Sequence, residues 1–228
     1  MWNSANQSFI AQDYQDALIK YKQIEEQGFV SKELVFNIGN AYLAVNNNLG
    51  KAVLYFERAL KMDPSYKDAK INLAHAKVFT VDKIDEIPDF FITKWIKSFR
   101  NLLSSTGWGT LSLLALAIAV LLLLMFRFAN NRAVRKLSFI FALVLFVVFL
   151  ASVSFAYTEN KSQKAENSAI IMSQVSTVKS APGEGGKTQF MLHEGTKVMI
   201  IDSLGEWKRV EIADGRQGWL MNKDLEVI

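Results

Sequence analysis

Two long uncharged stretches, separated by a short basic segment, limit what this chain can fold into. The first covers residues 108–126 and the second 137–157, and neither contains a charged side chain. Each has about 20 residues, enough at about 1.5 Å per residue to cross a hydrocarbon core of about 30 Å. Two helices in a soluble core would each need a polar stripe, which neither stretch has. The pattern predicts a two-helix transmembrane hairpin.

The rest of the composition narrows the classes of function. With 228 residues, the chain has room for one small domain on each side of the hairpin. It has no cysteine, which excludes disulfides, thiol nucleophiles and Cys-based metal sites. The two histidines, His75 and His193, lie in different flanks. The basic residues cluster beside the hairpin, which suits anionic lipid headgroups better than nucleic acid. Those outside the loop are Lys94, Lys97, Arg100, Lys161 and Lys164.

The loop between the spans indicates the topology. Residues 127–136 include four basic and no acidic side chains, which favours a cytoplasmic bend with both flanks in the periplasm. Because five basic residues lie outside the loop and four lie within it, the number of basic residues on each side does not decide the topology. The prediction depends on how closely the four basic residues of the loop are spaced. This topology requires a signal peptide, absent from this chain, and places the protein in the bacterial inner membrane.

The N-terminal flank contains an internal repeat. Asn6 and Asn40 are separated by about 34 residues, and small residues, aromatics and a closing Pro64 recur around them. The second copy, which includes Gly39–Leu43 and closes at Pro64, matches the tetratricopeptide pattern more closely than the first. The pattern at residues 66–79 predicts a helix equivalent to the first helix of each repeat, but without a second helix to pair with. Single helices of this kind cover the open end of a repeat stack.

In this register Asn6, Asn40 and His75 are equivalent and form a column on the concave face. One interpretation is a partner-peptide groove, since an Asn at this position often holds a ligand backbone in peptide-binding tetratricopeptide domains. The other is that Asn stabilises neighbouring helices. The candidate groove residues are Asn6, Phe9, Phe36, Asn40, Leu43 and His75.

The connector before the first span contains an amphipathic segment. Phe91, Trp95 and Phe99 recur at four-residue steps with cations on other faces. That pattern is typical of a helix lying in the membrane interface, and packing against the membrane helices of a partner fits it nearly as well.

The C-terminal flank changes to short alternating segments separated by Gly-containing turns. About five strands in so short a region predict a small closed barrel. Four motifs occur in the order found in bacterial SH3-like domains, which this flank resembles: residues 178–182, 194–196, 205–210 and 214–219. In that family Trp207 and Trp219 are core and rim residues, and some members bind peptides or cell-wall material.

Residues 181–188 (APGEGGKT) fit a loose phosphate-loop pattern. A phosphate loop works only between a strand and a helix in a parallel sheet. Only nine residues separate Thr188 from the next predicted strand at Val198, too few for the crossover that parallel strands need. We interpret the segment as a turn between strands.

The whole order resembles the BatE family, the tetratricopeptide/SH3 membrane proteins of the Bacteroides aerotolerance (Bat) operons. Residues 49–60, 80–84, 100–105, 178–182 and 193–197 carry the resemblance. It implies work with other Bat proteins, including von Willebrand factor A-domain membrane proteins, and indirectly with a MoxR-type AAA+ ATPase. It also implies a cleaved signal peptide.

Together these features predict a multidomain membrane protein: all-α tetratricopeptide repeats, a transmembrane hairpin and a small all-β SH3-like barrel. The expected segments are two repeats plus capping helix (1–80), connector (81–106), first span (107–127), basic loop (128–136), second span (137–157), linker (158–172) and SH3-like domain (173–228). The expected function is a non-enzymatic scaffold without cofactor, metal, nucleic acid or small-molecule substrate. The alternative is a membrane-anchored module whose barrel binds peptidoglycan or a peptide.

Overall fold

The computed structural model describes residues 1–45, 48–84, 91–164 and 167–228. The chain forms two compact units. The first, here called the globular unit, combines Met1–Phe90 with Ala165–Ile228 and therefore joins the two flanks of the sequence. The second, the hairpin unit, is Phe91–Lys164.

The N-terminal part of the globular unit is made of helical repeats. Its helices are α1 (Trp2–Ile10), α2 (Tyr14–Glu26), α3 (Lys32–Ala44), α4 (Leu49–Met62) and α5 (Lys67–Val78). Short polar side chains begin two of them: Asp13 accepts from Asp16 N–H at the start of α2, and Ser31 from Leu34 N–H at the start of α3. The helices form two pairs followed by a single helix, in the predicted order.

Small residues let the paired helices approach closely. A Cβ added at Gly39 of α3 would lie 2.8 Å from the ring of Phe56 on α4. Phe56 is fully buried between the helices, as are Ala52 and Ala59 on the same helix. Large rings therefore fill the space that the small residues leave, which keeps the interior close-packed.

The C-terminal part is one antiparallel sheet. Its strands are β1 (Ser168–Ile171), β2 (Val175–Lys179), β3 (Thr188–His193), β4 (Lys197–Leu204), β5 (Trp207–Glu211), β6 (Gln217–Met221) and β7 (Leu225–Val227), with a 3₁₀ turn at Asn222–Asp224. The strand order is β3-β2-β6-β5-β4-β1-β7. One face buries a core of small and aliphatic side chains: Ala169, Ile171, Val178, Leu192, Val198, Val210, Ile212, Leu220 and Leu225.

The predicted closed barrel of about five strands is corrected in two respects. The described residues form seven strands, and their sheet is not closed, since β3 and β7 are its two ends. The β7 edge is instead covered by α4, where Arg58 donates to the Val227 carbonyl oxygen at 2.9 Å. A covered edge needs no strand partner, so closure is not required to protect it. The first strand begins at Ser168, inside the segment predicted as linker.

The sheet also packs against the helices. Ile170 of β1 is fully buried in a cluster with residues of α4 and α5, among them Val53, Leu54 and Leu73. The single helix α5 therefore does not stand alone at the end of the repeats, because β1 adds to the same core.

The hairpin unit contains α6 (Phe91–Arg100), α7 (Ser105–Phe128) and α8 (Arg132–Lys164). The helices α7 and α8 are long and apolar enough to cross a membrane, with mean hydropathy of 2.6 and 2.8 in their most apolar windows. Only 17% and 11% of those windows are buried, whereas a helix in a soluble core is buried on most sides. Two boundaries differ from the sequence prediction. Arg132, Arg135 and Lys136 belong to α8 rather than to the loop, and α8 continues past Tyr157 to Lys164.

The two long helices pack along a seam of small side chains. On α7 its residues recur at three- and four-residue steps, as in antiparallel helix pairs with shallow crossing angles. The buried members are Ser112, Ala115 and Ala119 of α7 with Ser138, Ala142 and Ser152 of α8. Rings close both ends of the seam, since Trp108 contacts Phe155 and Phe126 contacts Phe139.

Candidate interaction surfaces

The two asparagines of the predicted groove each bond within the helical repeats. The Asn6 Oδ1 atom accepts from the Tyr21 hydroxyl at 2.6 Å, which joins α1 to α2. The Asn40 Oδ1 atom accepts from Asn72 Nδ2 at 2.7 Å, which joins α3 to α5. Both side chains are only partly buried. Both contacts join neighbouring helices, as expected if the asparagines stabilise the helix pairs.

Of the other groove candidates, three pack against neighbouring side chains and one is exposed. Phe36 packs against Phe56 and Tyr66, with ring centroids 5.8 and 5.2 Å away. Phe9 packs edge-on against Tyr14, and Leu43 lies beside the α4–α5 core. His75 is exposed, and its ring contacts that of Phe79 at 5.1 Å. Of the six groove candidates, His75 is the one the structure leaves exposed.

The amphipathic helix α6 presents an aromatic face. Phe91 and Trp95 are 71% and 74% exposed, and Phe99 is 50% exposed. Phe99 is the inner end of this face, because its ring lies 6.0 Å from Trp108 and 6.4 Å from Phe155. The Trp108 indole N–H also donates to the Arg100 carbonyl oxygen at 2.8 Å, which fixes the end of α6 against α7. The predicted connector before α6 includes residues 85–90, which lie outside the described residues, as do the side chains of Lys94 and Lys97.

The C-terminal sheet, here called the β domain, contains two partly buried tryptophans, Trp207 and Trp219. Both lie beside Lys179. The Lys179 ammonium lies 5.2 Å from the ring centroid of Trp207 on β5. The Lys179 backbone pairs with Trp219 on β6, the one register pair that joins β2 to β6. Both tryptophans therefore lie beside Lys179, where β2 pairs with β6.

The segment that fits a loose phosphate loop connects β2 and β3. These strands pair antiparallel, with Val178 opposite Phe190. The segment after Lys187 is therefore a strand rather than a helix, so no helix N-terminus is present to bind a phosphate. Across the described residues, no group of three or more His, Asp and Glu side chains is placed to hold a metal ion.

A set of reciprocal hydrogen bonds joins the two flanks, and no sequence motif predicted it. The Asp82 carboxylate, from just after α5, accepts from His193 N–H at 2.7 Å and from the Thr196 hydroxyl at 2.6 Å. Its second oxygen lies 2.7 Å from His193 Nδ1. In return, the Glu194 carboxylate accepts from Gly50 N–H in the first turn of α4, at 2.7 Å. We call Gly50, Asp82, His193, Glu194 and Thr196 the clasp.

Close backbone approach makes the clasp sensitive to added atoms. A Cβ at Gly50 would lie 2.8 Å from Glu194 Cγ and 3.1 Å from the Ile171 carbonyl oxygen. A Cβ at Gly195, whose φ is +85°, would lie 2.9 Å from Thr80 Cγ2. Both positions therefore need glycine because a Cβ would not fit in the contact between the flanks. Gly195 is also needed for the positive φ of the turn between β3 and β4.

Ion pairs extend the same interface along α4. Lys51 and Arg58 both pair with Glu226 of β7, Arg58 at 3.2 Å. Glu57 pairs with Lys77 of α5 at 3.3 Å and with Lys197 of β4 at 2.7 Å. Lys51, Arg58 and Glu226 are partly exposed, so each of their pairs contributes at most about 1 kcal/mol. Glu57 is buried, whereas its partners Lys77 and Lys197 are largely exposed. Together these pairs join α4 to α5, β4 and β7.

The interface shifts the protonation of two acids. Burial alone would raise the pKa of the Asp82 carboxyl, but the hydrogen bonds from Thr196 and His193 hold it below its usual value. Burial alone would also raise the pKa of the Glu226 carboxyl, but the neighbouring Lys51 and Arg58 outweigh burial and hold that pKa below its usual value. Both groups are therefore held in their charged forms, in which they bind the opposite flank.

No protein-family model, curated protein or solved structure matches this chain.

Proposed function

We propose that this chain is a non-enzymatic scaffold, anchored in the bacterial inner membrane, that recruits partner proteins into a Bat-type envelope complex. In this proposal the five N-terminal helices are tetratricopeptide repeats and the β domain is SH3-like, as in the BatE family that the sequence resembles. The observation that carries the proposal is the clasp. It joins the two flanks into one globular unit, so that both present their outer surfaces as a single body.

The clasp also supports the proposed topology. It connects Asp82, before the first apolar helix, with His193, after the second. Such a contact requires both flanks on the same side of a membrane, and two spans return the chain to the side from which it entered. We place that side in the periplasm because of the basic residues between the apolar stretches.

The proposed docking surface for membrane partners is the exposed aromatic face of α6. Phe91 and Trp95 are large apolar rings with more than two thirds of their surface exposed. Aromatic side chains of this kind are frequent anchors of protein interfaces. From the family resemblance, the proposed partners are von Willebrand factor A-domain membrane proteins and other Bat proteins, with a MoxR-type ATPase linked indirectly.

Gentle detergent extraction of the tagged full-length protein tests this proposal. Membrane proteins with A-type domains should co-purify with the wild type and be reduced at least tenfold by the double substitution Phe91→Ala and Trp95→Ala. The control is Leu113→Ala and Leu121→Ala, which removes apolar surface from exposed positions on α7. Recovery of the protein alone at every detergent strength would contradict the scaffold.

The second candidate is an envelope-binding module. It is favoured by the partly exposed Trp207 beneath the Lys179 ammonium, an amphipathic surface of the kind that binds sugars or peptides. Co-sedimentation of the full-length, detergent-solubilised protein with purified peptidoglycan sacculi would support this candidate if the Trp207→Ala variant stays in the supernatant. Equal sedimentation of wild type and variant would count against it.

A further inference from the structure

The end of the hairpin unit where α7 meets α8 carries positive charge alone. Its charged side chains are Arg127 in the last turn of α7 and Arg132, Arg135 and Lys136 in the first turns of α8, and all four are exposed. We call these four residues the basic end. The sequence has no acidic residue from position 90 to position 158, and Glu159 follows Lys136 about 35 Å farther along α8. The sequence of this unit therefore places no carboxylate near enough to offset the four cations.

Aromatic rings hold two of these arginines in place. The guanidinium carbon of Arg135 lies 5.5 Å from the ring centroid of Phe126, across the hairpin on α7. That of Arg127 lies 5.7 Å from the ring centroid of Phe128. Within the described residues, neither guanidinium donates a hydrogen bond or pairs with a carboxylate. Both arginines are therefore positioned by a ring, while their N–H donors, which match the geometry of a phosphate, are not used.

Large apolar side chains are exposed beside these cations. Phe128 is 74% exposed, and Leu137 and Phe139, which follow the basic end on α8, are 55% and 47% exposed. A soluble anion would bind the cations but leave these side chains in water. An anionic phospholipid offers both parts, a phosphate for the cations and acyl chains for the apolar surface.

The exposed apolar surface also continues away from the basic end. Only 17% and 11% of the most apolar windows of α7 and α8 are buried, so most of each helix is open to its surroundings. In the proposed anchoring, acyl chains cover that surface. A phosphate held at the basic end then belongs to a lipid whose chains lie beside these helices, rather than to a protein segment or a free anion.

We propose that the basic end binds the phosphate of an anionic phospholipid through the guanidinium groups of Arg127 and Arg135, with the acyl chains of that lipid against α7 and α8. The inference rests on the proposed anchoring by these helices, but not on the proposed partner proteins. Phosphatidylcholine also has a phosphate, but four positive charges without a nearby carboxylate repel its choline group. The basic end therefore selects a headgroup with net negative charge.

Native mass spectrometry of the full-length protein in a nonionic detergent tests the site. The protein is mixed with equal amounts of phosphatidylglycerol and phosphatidylcholine that have the same acyl chains, and the two lipid adducts are compared. The test variant is Arg127→Gln with Arg135→Gln. The matched control is Lys187→Gln with Lys223→Gln, which removes the same charge from two exposed positions on the β domain.

We expect wild type and the control to retain phosphatidylglycerol over phosphatidylcholine by about tenfold, since each cation near an anionic headgroup favours binding by about fivefold. The test variant should lose most of that preference. Equal retention of the two lipids by wild type, or the same preference in wild type and the test variant, would overturn the proposal.

Two further arms identify what is bound and by which groups. Arg127→Lys with Arg135→Lys keeps both charges but removes the planar donors, so phosphatidylglycerol should be retained at least threefold less than in wild type. Unchanged retention would overturn the assignment to the guanidinium groups. Soluble glycerol phosphate in large excess should not displace the lipid, and displacement would overturn the proposal in favour of a free anion.

Alkaline extraction of native membranes separates this proposal from the anchoring on which it rests. Protein that stays in the membrane after extraction is anchored, and a missing preference for phosphatidylglycerol then contradicts the lipid site alone. Protein that is released by extraction contradicts the anchoring. Circular dichroism of each variant checks that the helices remain folded, and the comparison of the two lipids on wild type needs no variant at all.

Discussion

The Glu194 carboxylate accepts a hydrogen bond from Gly50 N–H at 2.7 Å, although 144 positions separate the two residues in the sequence. Gly50 is the second residue of α4, whose own cap residue, Asn48, makes no side-chain capping bond. The β domain therefore supplies the N-terminal cap of a helix in the other flank. An acidic group at this end is also favoured by the helix dipole.

Replacement of Glu194 by Ala should destabilise the first turn of α4. Loss of a cap costs about 1 kcal/mol, so amide exchange at the start of α4 should accelerate about fivefold. Glu194→Gln should cost less, because its amide oxygen still accepts from Gly50 N–H. Hydrogen exchange read by mass spectrometry on the full-length protein in detergent measures both effects.

The control for this prediction is Glu184→Ala in the loop between β2 and β3, where the side chain is exposed. It should leave exchange in α4 unchanged. If Glu194→Ala and Glu184→Ala give the same exchange profile across α4, the cap does not stabilise the helix in solution.

The stability of the globular unit should depend on pH through Asp82. Its pKa is lowered in the folded chain, so the stability that it contributes is complete above the unfolded pKa of about 4 and is lost as the pH falls through the folded pKa. Asp82→Asn removes the charge at every pH. We expect wild type to exceed this variant by about 1–3 kcal/mol at pH 7 and the difference to shrink below about pH 4.

Denaturant unfolding at a series of pH values measures the difference. Asp202→Asn, at an exposed position on β4, serves as the control and should show little loss at pH 7. A gap between wild type and Asp82→Asn that stays constant down to pH 2 would show that charge on Asp82 is not what binds the β3–β4 turn.

Local patterns made much of this structure predictable. The repeat spacing predicted two helix pairs and a single helix, and the uncharged stretches predicted α7 and α8, because each signal lies within one continuous segment. The strand β1 was missed because Ala169, Ile170 and Ile171 are all buried and so lack the alternation of a half-exposed strand. The clasp was not predictable from the sequence. Asp82 lies in a polar connector with no distinguishing motif, and its partners come more than 100 residues later, after the two apolar helices.

The Asn column illustrates a different limit. Sequence spacing predicted that Asn6 and Asn40 are equivalent positions and left their role open between ligand binding and helix contacts. Their hydrogen-bond partners, Tyr21 and Asn72, are visible only when the helices are placed side by side. The groove itself stays a prediction.

A double-mutant cycle on Asn40 and Asn72 tests the structural role. Because their side chains share one hydrogen bond, Asn40→Ala and Asn72→Ala should each lower the free energy of unfolding by about 1 kcal/mol. The double variant should lose less than the sum, with a coupling of at least about 0.5 kcal/mol. Asn6→Ala combined with Asn72→Ala is the control and should be additive, since Asn6 bonds to Tyr21. Additivity in the Asn40–Asn72 cycle would favour a role in ligand binding.

The seam between α7 and α8 should not tolerate a larger side chain at Ala142, which is 3% exposed. Leu at this position forces the helices apart at a cost of about 1–3 kcal/mol, whereas Ala151→Leu, at an exposed position on α8, costs little. The ring pairs at both ends of the seam place Ser112 opposite Ser152, so cysteines at these two positions report on pairing through disulfide formation. In vesicles, Ala142→Leu should slow oxidative cross-linking at least fivefold relative to Ala151→Leu. Equal cross-linking rates would mean that the two helices do not depend on this seam to pair.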